Sequence, residues 1–113
     1  MAYFDKLVNI ILNAWSDGNV VSYEYTPSYD KCGSGIPTCM WADVADSCLV
    51  NIIRSPYQSI PGHYGCMLHV TSFEAGHGDN HTESYYVDTL DDYEVAEKIL
   101  NNALSLHGAS SSS

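Results

Sequence analysis

The stretch CMWADVADSCLVNIIR, residues 39–54, decides how this chain is read. Trp41, Val44, Ala45, Cys48, Leu49 and Ile52 recur at three- and four-residue steps, and Asp43, Asp46, Ser47, Asn51 and Arg54 fall opposite them. That spacing is the stripe of an amphipathic helix, since residues three and four apart share one helical face. Thr38 stands where it can cap such a helix. A rival reading is a short strand at 48–53, where β-branched residues are dense. The helical stripe accounts for more of the stretch, so the spacing predicts a helix over 39–54.

Outward from it, Gly33, Gly35 and Pro37 mark residues 28–38 as a loop. Before that loop, Val21, Tyr23 and Tyr25 alternate with Val20, Ser22 and Glu24 over 19–26, the period of a strand that Pro27 stops. The N-terminal residues 3–15 place Phe4, Leu7, Val8, Ile11, Leu12 and Trp15 on one helical face, and Asp17-Gly18 ends that helix. After residue 54, Ser55-Pro56 and Pro61-Gly62 bracket a second loop. Residues 63–73 and 82–89 alternate as two strands around a Gly-, Asp- and Asn-rich hairpin connection. A last helix is predicted over 91–106, buried through Tyr93, Ala96, Ile99, Leu100, Ala103 and Leu104. Thr89 and Asp92 form its capping pattern and Gly108 stops it.

The expected fold class is therefore α+β: a small three-stranded, largely antiparallel sheet packed with helices, in the order α-β-α-β-β-α. One compact domain over 1–109 fits the 113-residue length, with a flexible Ser-rich tail at 110–113. Two sheet edges need protection, and edge pairing into a homodimer is one way to supply it.

Composition narrows the partners. Fourteen Asp and Glu against four Lys and Arg give a formal charge of -10, although only 16% of residues are charged. So few cations exclude direct nucleic-acid binding and capture by anionic membranes, and no apolar run is long enough to span a bilayer. The first residues lack the basic start and unbroken apolar run of a signal peptide. Cys32, Cys39, Cys48 and Cys66 accordingly read as thiols in a cytoplasmic protein.

The acids are concentrated. Glu74, Asp79, Glu83, Asp88, Asp91, Asp92, Glu94 and Glu97 follow one another with no Lys or Arg between them. A cluster of one sign suits capture by a basic groove, although the same acids also suit a solvated face and a helix N-terminus. Nine tyrosines are too many for a small core to bury with every hydroxyl bonded, so some, with Tyr85 among the candidates, interleave with the acids as contact surface. The candidate binding set is thus Glu74, Asp79, Glu83, Tyr85, Asp91, Asp92, Glu94 and Glu97. In size and charge the chain resembles small acidic phage-encoded inhibitors of bacterial defence, anti-CRISPR-like proteins that occupy a nucleic-acid groove. That resemblance implies an inhibitor or antagonist whose partner is a protein with a basic surface.

The alternative reading is catalytic. A thiol at the first turn of a helix has its pKa lowered, and Cys39 occupies that place in the predicted helix, with His63 opening the next strand and Asp88 closing the one after. Cys39-Met40-Trp41, Gly62-His63-Tyr64 and Tyr86-Val87-Asp88 look like the layout of papain-like hydrolases. The resemblance implies Cys39 as nucleophile, His63 as base and Asp88 as its orienting acid. Metal binding fits less well, because His63 and Cys66 point to opposite faces of one strand, leaving only His63 with His69, or His77 with His81, to share an ion. No metal or other cofactor is expected.

Overall fold

The computed structural model describes residues 3–26, 38–54, 65–73 and 80–108. It contains helix α1 (Tyr3–Ser16), strands β1 (Ser22–Thr26), β2 (Thr38–Ala45), β3 (Cys48–Arg54), β4 (Cys66–Phe73) and β5 (Asn80–Val87), and helix α2 (Leu90–His107). The strands form one five-stranded sheet in the order β1-β2-β3-β4-β5, with every neighbouring pair antiparallel. The three-stranded sheet and the order α-β-α-β-β-α are therefore wrong: the order is α-β-β-β-β-β-α.

The error lies entirely in residues 39–54, which form two paired strands instead of a helix. Met40, Ala42 and Val44 alternate on one face of β2, and Cys48, Val50 and Ile52 on the same face of β3; all six are fully buried. Met40 pairs with Ile52 and Ala42 with Val50. The strands join through a turn at Asp46 and Ser47, with an irregular register between Asp43 and Ala45. That turn moves the buried series from Val44 to Cys48, and a four-residue step imitates a helical period. Propensity already leaned the other way, because Val50, Ile52 and Ile53 suit a pleated surface.

The other elements follow their local chemistry. Helix α1 buries Phe4, Leu7, Val8, Ile11 and Ala14. It ends at Gly18, whose φ of 83° is left-handed, a conformation that glycine adopts without a Cβ penalty. Helix α2 opens with a full capping box: the Thr89 side chain accepts from the Asp92 backbone N–H, and the Asp92 carboxylate accepts in return from the Thr89 N–H. Gly108 closes it by donating to the Leu104 carbonyl at 2.9 Å. The expected tail at 110–113 lies outside the described residues. Among the described residues no helix is long and apolar enough to cross a membrane.

Both helices cover one face of the sheet. Phe4, Leu7 and Ile11 from α1 and Ala96, Leu100 and Leu104 from α2 share a core with Met40, Val50, Ile52, Leu68 and Val87. Tyr3 of α1 stacks on Tyr93 of α2 with ring centroids 5.3 Å apart, which ties the helices to each other. The opposite face carries the other half of every strand, and no described helix lies on it.

Candidate functional site

The structure divides the sequence-predicted binding residues between architecture and surface. Asp92 is a cap, accepting from the backbone N–H groups of both Asp88 and Thr89. Glu97 accepts from the Tyr93 hydroxyl at 2.8 Å, one helical turn away. Burial first, and then this bond, push the Tyr93 phenol up to about 12. Glu83 accepts from the Tyr85 hydroxyl and lies 3.4 Å from His81 Nε2. The bond from Tyr85, followed by that from His81, holds the Glu83 carboxyl below its usual range, and the same bond raises the Tyr85 phenol. Tyr85 itself is half-buried against the core. Asp91 and Glu94 remain exposed on the first two turns of α2. Glu74 and Asp79 lie outside the described residues.

One cation, Lys98, is exposed on α2 itself, four residues after Glu94, while two others meet aromatic rings. Lys6 Nζ lies 5.3 Å from the Tyr93 ring centroid and 5.8 Å from that of Tyr3, and Arg54 Cζ lies 5.3 Å from that of Phe4. Cations placed over ring faces are drawn by the aromatic quadrupole, so both are held on the helix side of the molecule. Residues directly opposite in an antiparallel pair share a face, and the registers therefore list what the open face carries. Cys39, Ile53, Met67 and Tyr86 form one row across it. Glu24, Trp41, Asn51, His69 and Ser84 form the next, and Ser22, Asp43, Leu49, Thr71 and Thr82 the third. Among the described residues this face has two acids, Glu24 and Asp43, and no Lys or Arg.

Sequence reasoning missed this face. Trp41 was expected inside a helical stripe, yet it is 45% exposed. The signal was present in the period-two series Met40, Ala42, Val44, whose complement is Cys39, Trp41, Asp43. It becomes readable only once residues 39–54 are seen as strands.

The catalytic constellation loses the helix N-terminus predicted at Cys39. Cys39 lies inside β2, paired with Thr26 and Ile53, and not at a helix N-terminus. Asp88 follows β5 and accepts from the Gly65 N–H at 2.8 Å. Strands β3 and β4 lie between β2 and β5, which separates the two positions by roughly 14 Å at the usual strand spacing. His63 lies outside the described residues. Cys48 and Cys66 face the core as free thiols, and burial pushes them up to about 11 and about 12 respectively.

Cys66 and His69 occupy opposite faces of β4: the first is in the core and the second bonds Ser84 Oγ through Nδ1 at 2.7 Å. Among the described residues no three His, Cys, Asp or Glu side chains gather as a metal site. His77 lies outside them. The chain matches no protein-family model, no curated protein and no solved structure.

Proposed function

We propose that this chain is a small acidic binding protein that acts in the cytoplasm as an inhibitor or antagonist of a protein with a basic, nucleic-acid-binding surface. A phage-encoded anti-defence role is the biological setting that such a protein fits. One observation carries the reading: among the described residues, exposed acids far outnumber exposed cations. Asp17, Glu24, Asp43, Asp46, Glu83, Asp91 and Glu94 are exposed, against Arg54 and Lys98 among the cations, and Arg54 also lies over the Phe4 ring on the helix side. A surface this unbalanced presents a predominantly negative field, which speeds encounter with a basic groove and disfavours nucleic acid itself. Free thiols at Cys39, Cys48 and Cys66 are compatible with a reducing compartment.

The test is competition. The chain is immobilised and exposed to bacterial lysate at about 0.05 M salt, where screening is weak. The retained proteins should be nucleic-acid-binding proteins that duplex DNA or RNA displaces. Retention that is indifferent to polyanions and to salt overturns the proposal.

A further inference from the structure

We propose that Trp41, Glu24 and Asp43 form an anchor for an arginine side chain of the basic partner. The inference rests on the acidic-binding reading above and names the place where contact is made.

The strand register builds the anchor. Glu24 lies directly opposite Trp41, and Ser22 directly opposite Asp43. Trp41 and Asp43, two apart in β2, project from the same face. Two carboxylates thus flank one indole, one across the strand pair and one along the strand. Ser22 Oγ donates to Asp43 Oδ2 at 3.1 Å, which orients that carboxylate. A shallow depression of about 160 Å³ is lined by Ser22, Tyr23, Glu24, Trp41 and Asp43. Its volume suits one long side chain.

The Trp41 ring stacks on no other described ring, in contrast to Trp15, which meets Tyr23 edge-on with centroids 5.5 Å apart. A large exposed indole invites cover, but an apolar cover would strip water from Glu24 and Asp43 with nothing to bond them. A second copy of this chain would set the same two acids against their equivalents. Phosphate would be repelled. A guanidinium satisfies all three groups, because it is planar enough to lie on the indole while its N–H groups fork to carboxylates at the edge. Lysine offers the charge without the plane, so arginine is the better fit.

The experiment uses the full chain and two synthetic peptides, one alternating Arg with Ser and one alternating Lys with Ser, each of eight residues (about 1 kDa), at ~0.05 M salt where the Debye length exceeds 10 Å. Binding is read from the indole N–H resonances of Trp15 and Trp41. The Arg peptide should move the Trp41 resonance and leave that of Trp15 in place. Affinity is read for every variant by anisotropy of a dye-labelled peptide, because the Trp41 variants lack that resonance. It should fall about tenfold or more in Trp41→Leu and in the double variant Glu24→Gln with Asp43→Asn, and less in Trp41→Phe, which keeps a ring face and tests that β2 is intact. The Lys peptide should bind more weakly, and Asp91→Asn with Glu94→Gln should retain the Trp41 response. An unmoved Trp41 resonance while the peptide still binds, with binding lost in the α2 variant, overturns the anchor and leaves acidic capture standing. No binding of either peptide to any form of the chain defeats both.

Discussion

The two faces of the sheet use the same strands for different ends. On the helix side Met40, Ala42, Val44, Cys48, Val50, Ile52 and Leu68 are each shut off from solvent, and their neighbours come from α1 and α2. On the open side Asn51 is buried and donates to the Met40 carbonyl at 3.4 Å, while β4 and β5 are held by more exposed side-chain pairs: His69 with Ser84 at 2.7 Å and Thr71 with Thr82 at 2.9 Å. Such cross-strand pairs stabilise a sheet by about 0.2–1 kcal/mol each, far less than burial does. Stability is therefore concentrated on one face. The other is left to carry exposed aromatic and acidic groups, which makes it the surface on which selection for binding costs the fold least.

The largest test of that division removes equivalent bulk from each side of one strand. Leu68→Ala, on the covered face, should cost about 2–5 kcal/mol by urea unfolding, because the helices cannot close the cavity completely. Met67→Ala, adjacent in β4 but on the open face, should cost less than about 1.5 kcal/mol. Equal losses would show that the open face is as tightly covered as the helix side and would remove the basis for reading it as a surface.

Thiols sharpen the same contrast. In a Cys32→Ser background at pH 8, iodoacetamide should modify Cys39 at least ~10-fold faster than Cys48 or Cys66, whose buried thiols remain protonated. The sign of the pH dependence follows. An unfolded thiol loses its proton near pH ~8.5, while in the native state Cys48 and Cys66 hold theirs to about 11 and about 12. The unfolded chain thus binds fewer protons above pH ~8.5, and stability falls progressively as pH rises from there toward the folded values. A flat stability profile between pH 8 and 11 would contradict the burial of both thiols.

A smaller loss is expected at the α2 cap. Thr89→Ala removes one side of the capping box and should cost about 0.5–2 kcal/mol, with Asp92→Ala comparable, because Asp92 also bonds the Asp88 N–H. That result would separate Asp92 from Asp91 and Glu94, its neighbours in the acidic run. If Asp92→Ala left the melting temperature unchanged, its carboxylate would be available as contact surface after all.

Legibility followed the physics of each segment. Helix α2 was readable nearly end to end, since caps are local chemistry, and Thr89, Asp92 and Gly108 act as the sequence implies. The α1 stripe was readable as well, except that Trp15 is 44% exposed and turned against Tyr23. Residues 39–54 were not, because β2 and β3 bury one face each and the tight turn between them shifts the phase by four. Periodicity alone does not separate that from a helix. The acidic run was readable as charge, but the division of labour within it depends on tertiary partners: Gly65 for Asp88, Tyr93 for Glu97, and Tyr85 with His81 for Glu83. The Trp41 anchor was hidden for the same reason as the fold, since Asp43 shares its face only in an extended strand and Glu24 reaches it only through strand pairing.

The smallest stability effect belongs to the residues most exposed to a partner. Asp91→Asn with Glu94→Gln changes side chains that are solvent-exposed on α2 and keeps their shape, so unfolding free energy should stay within about 0.5 kcal/mol of the parent. A slight loss is the expected direction for Asp91, because a carboxylate in the first turn interacts favourably with the helix dipole. Binding should respond more than folding. Each removed charge lowers the field that steers a basic partner, so the association rate at low salt should drop several-fold while the dissociation rate barely moves. At about 0.5 M salt the parent and the variant should become equal, since the Debye length there is shorter than the distance over which steering acts. Stopped-flow association at two salt concentrations makes the measurement. A variant whose dissociation rate rises instead places Asp91 or Glu94 in the contact itself, moving the centre of the interface from the open sheet face to the first turns of α2.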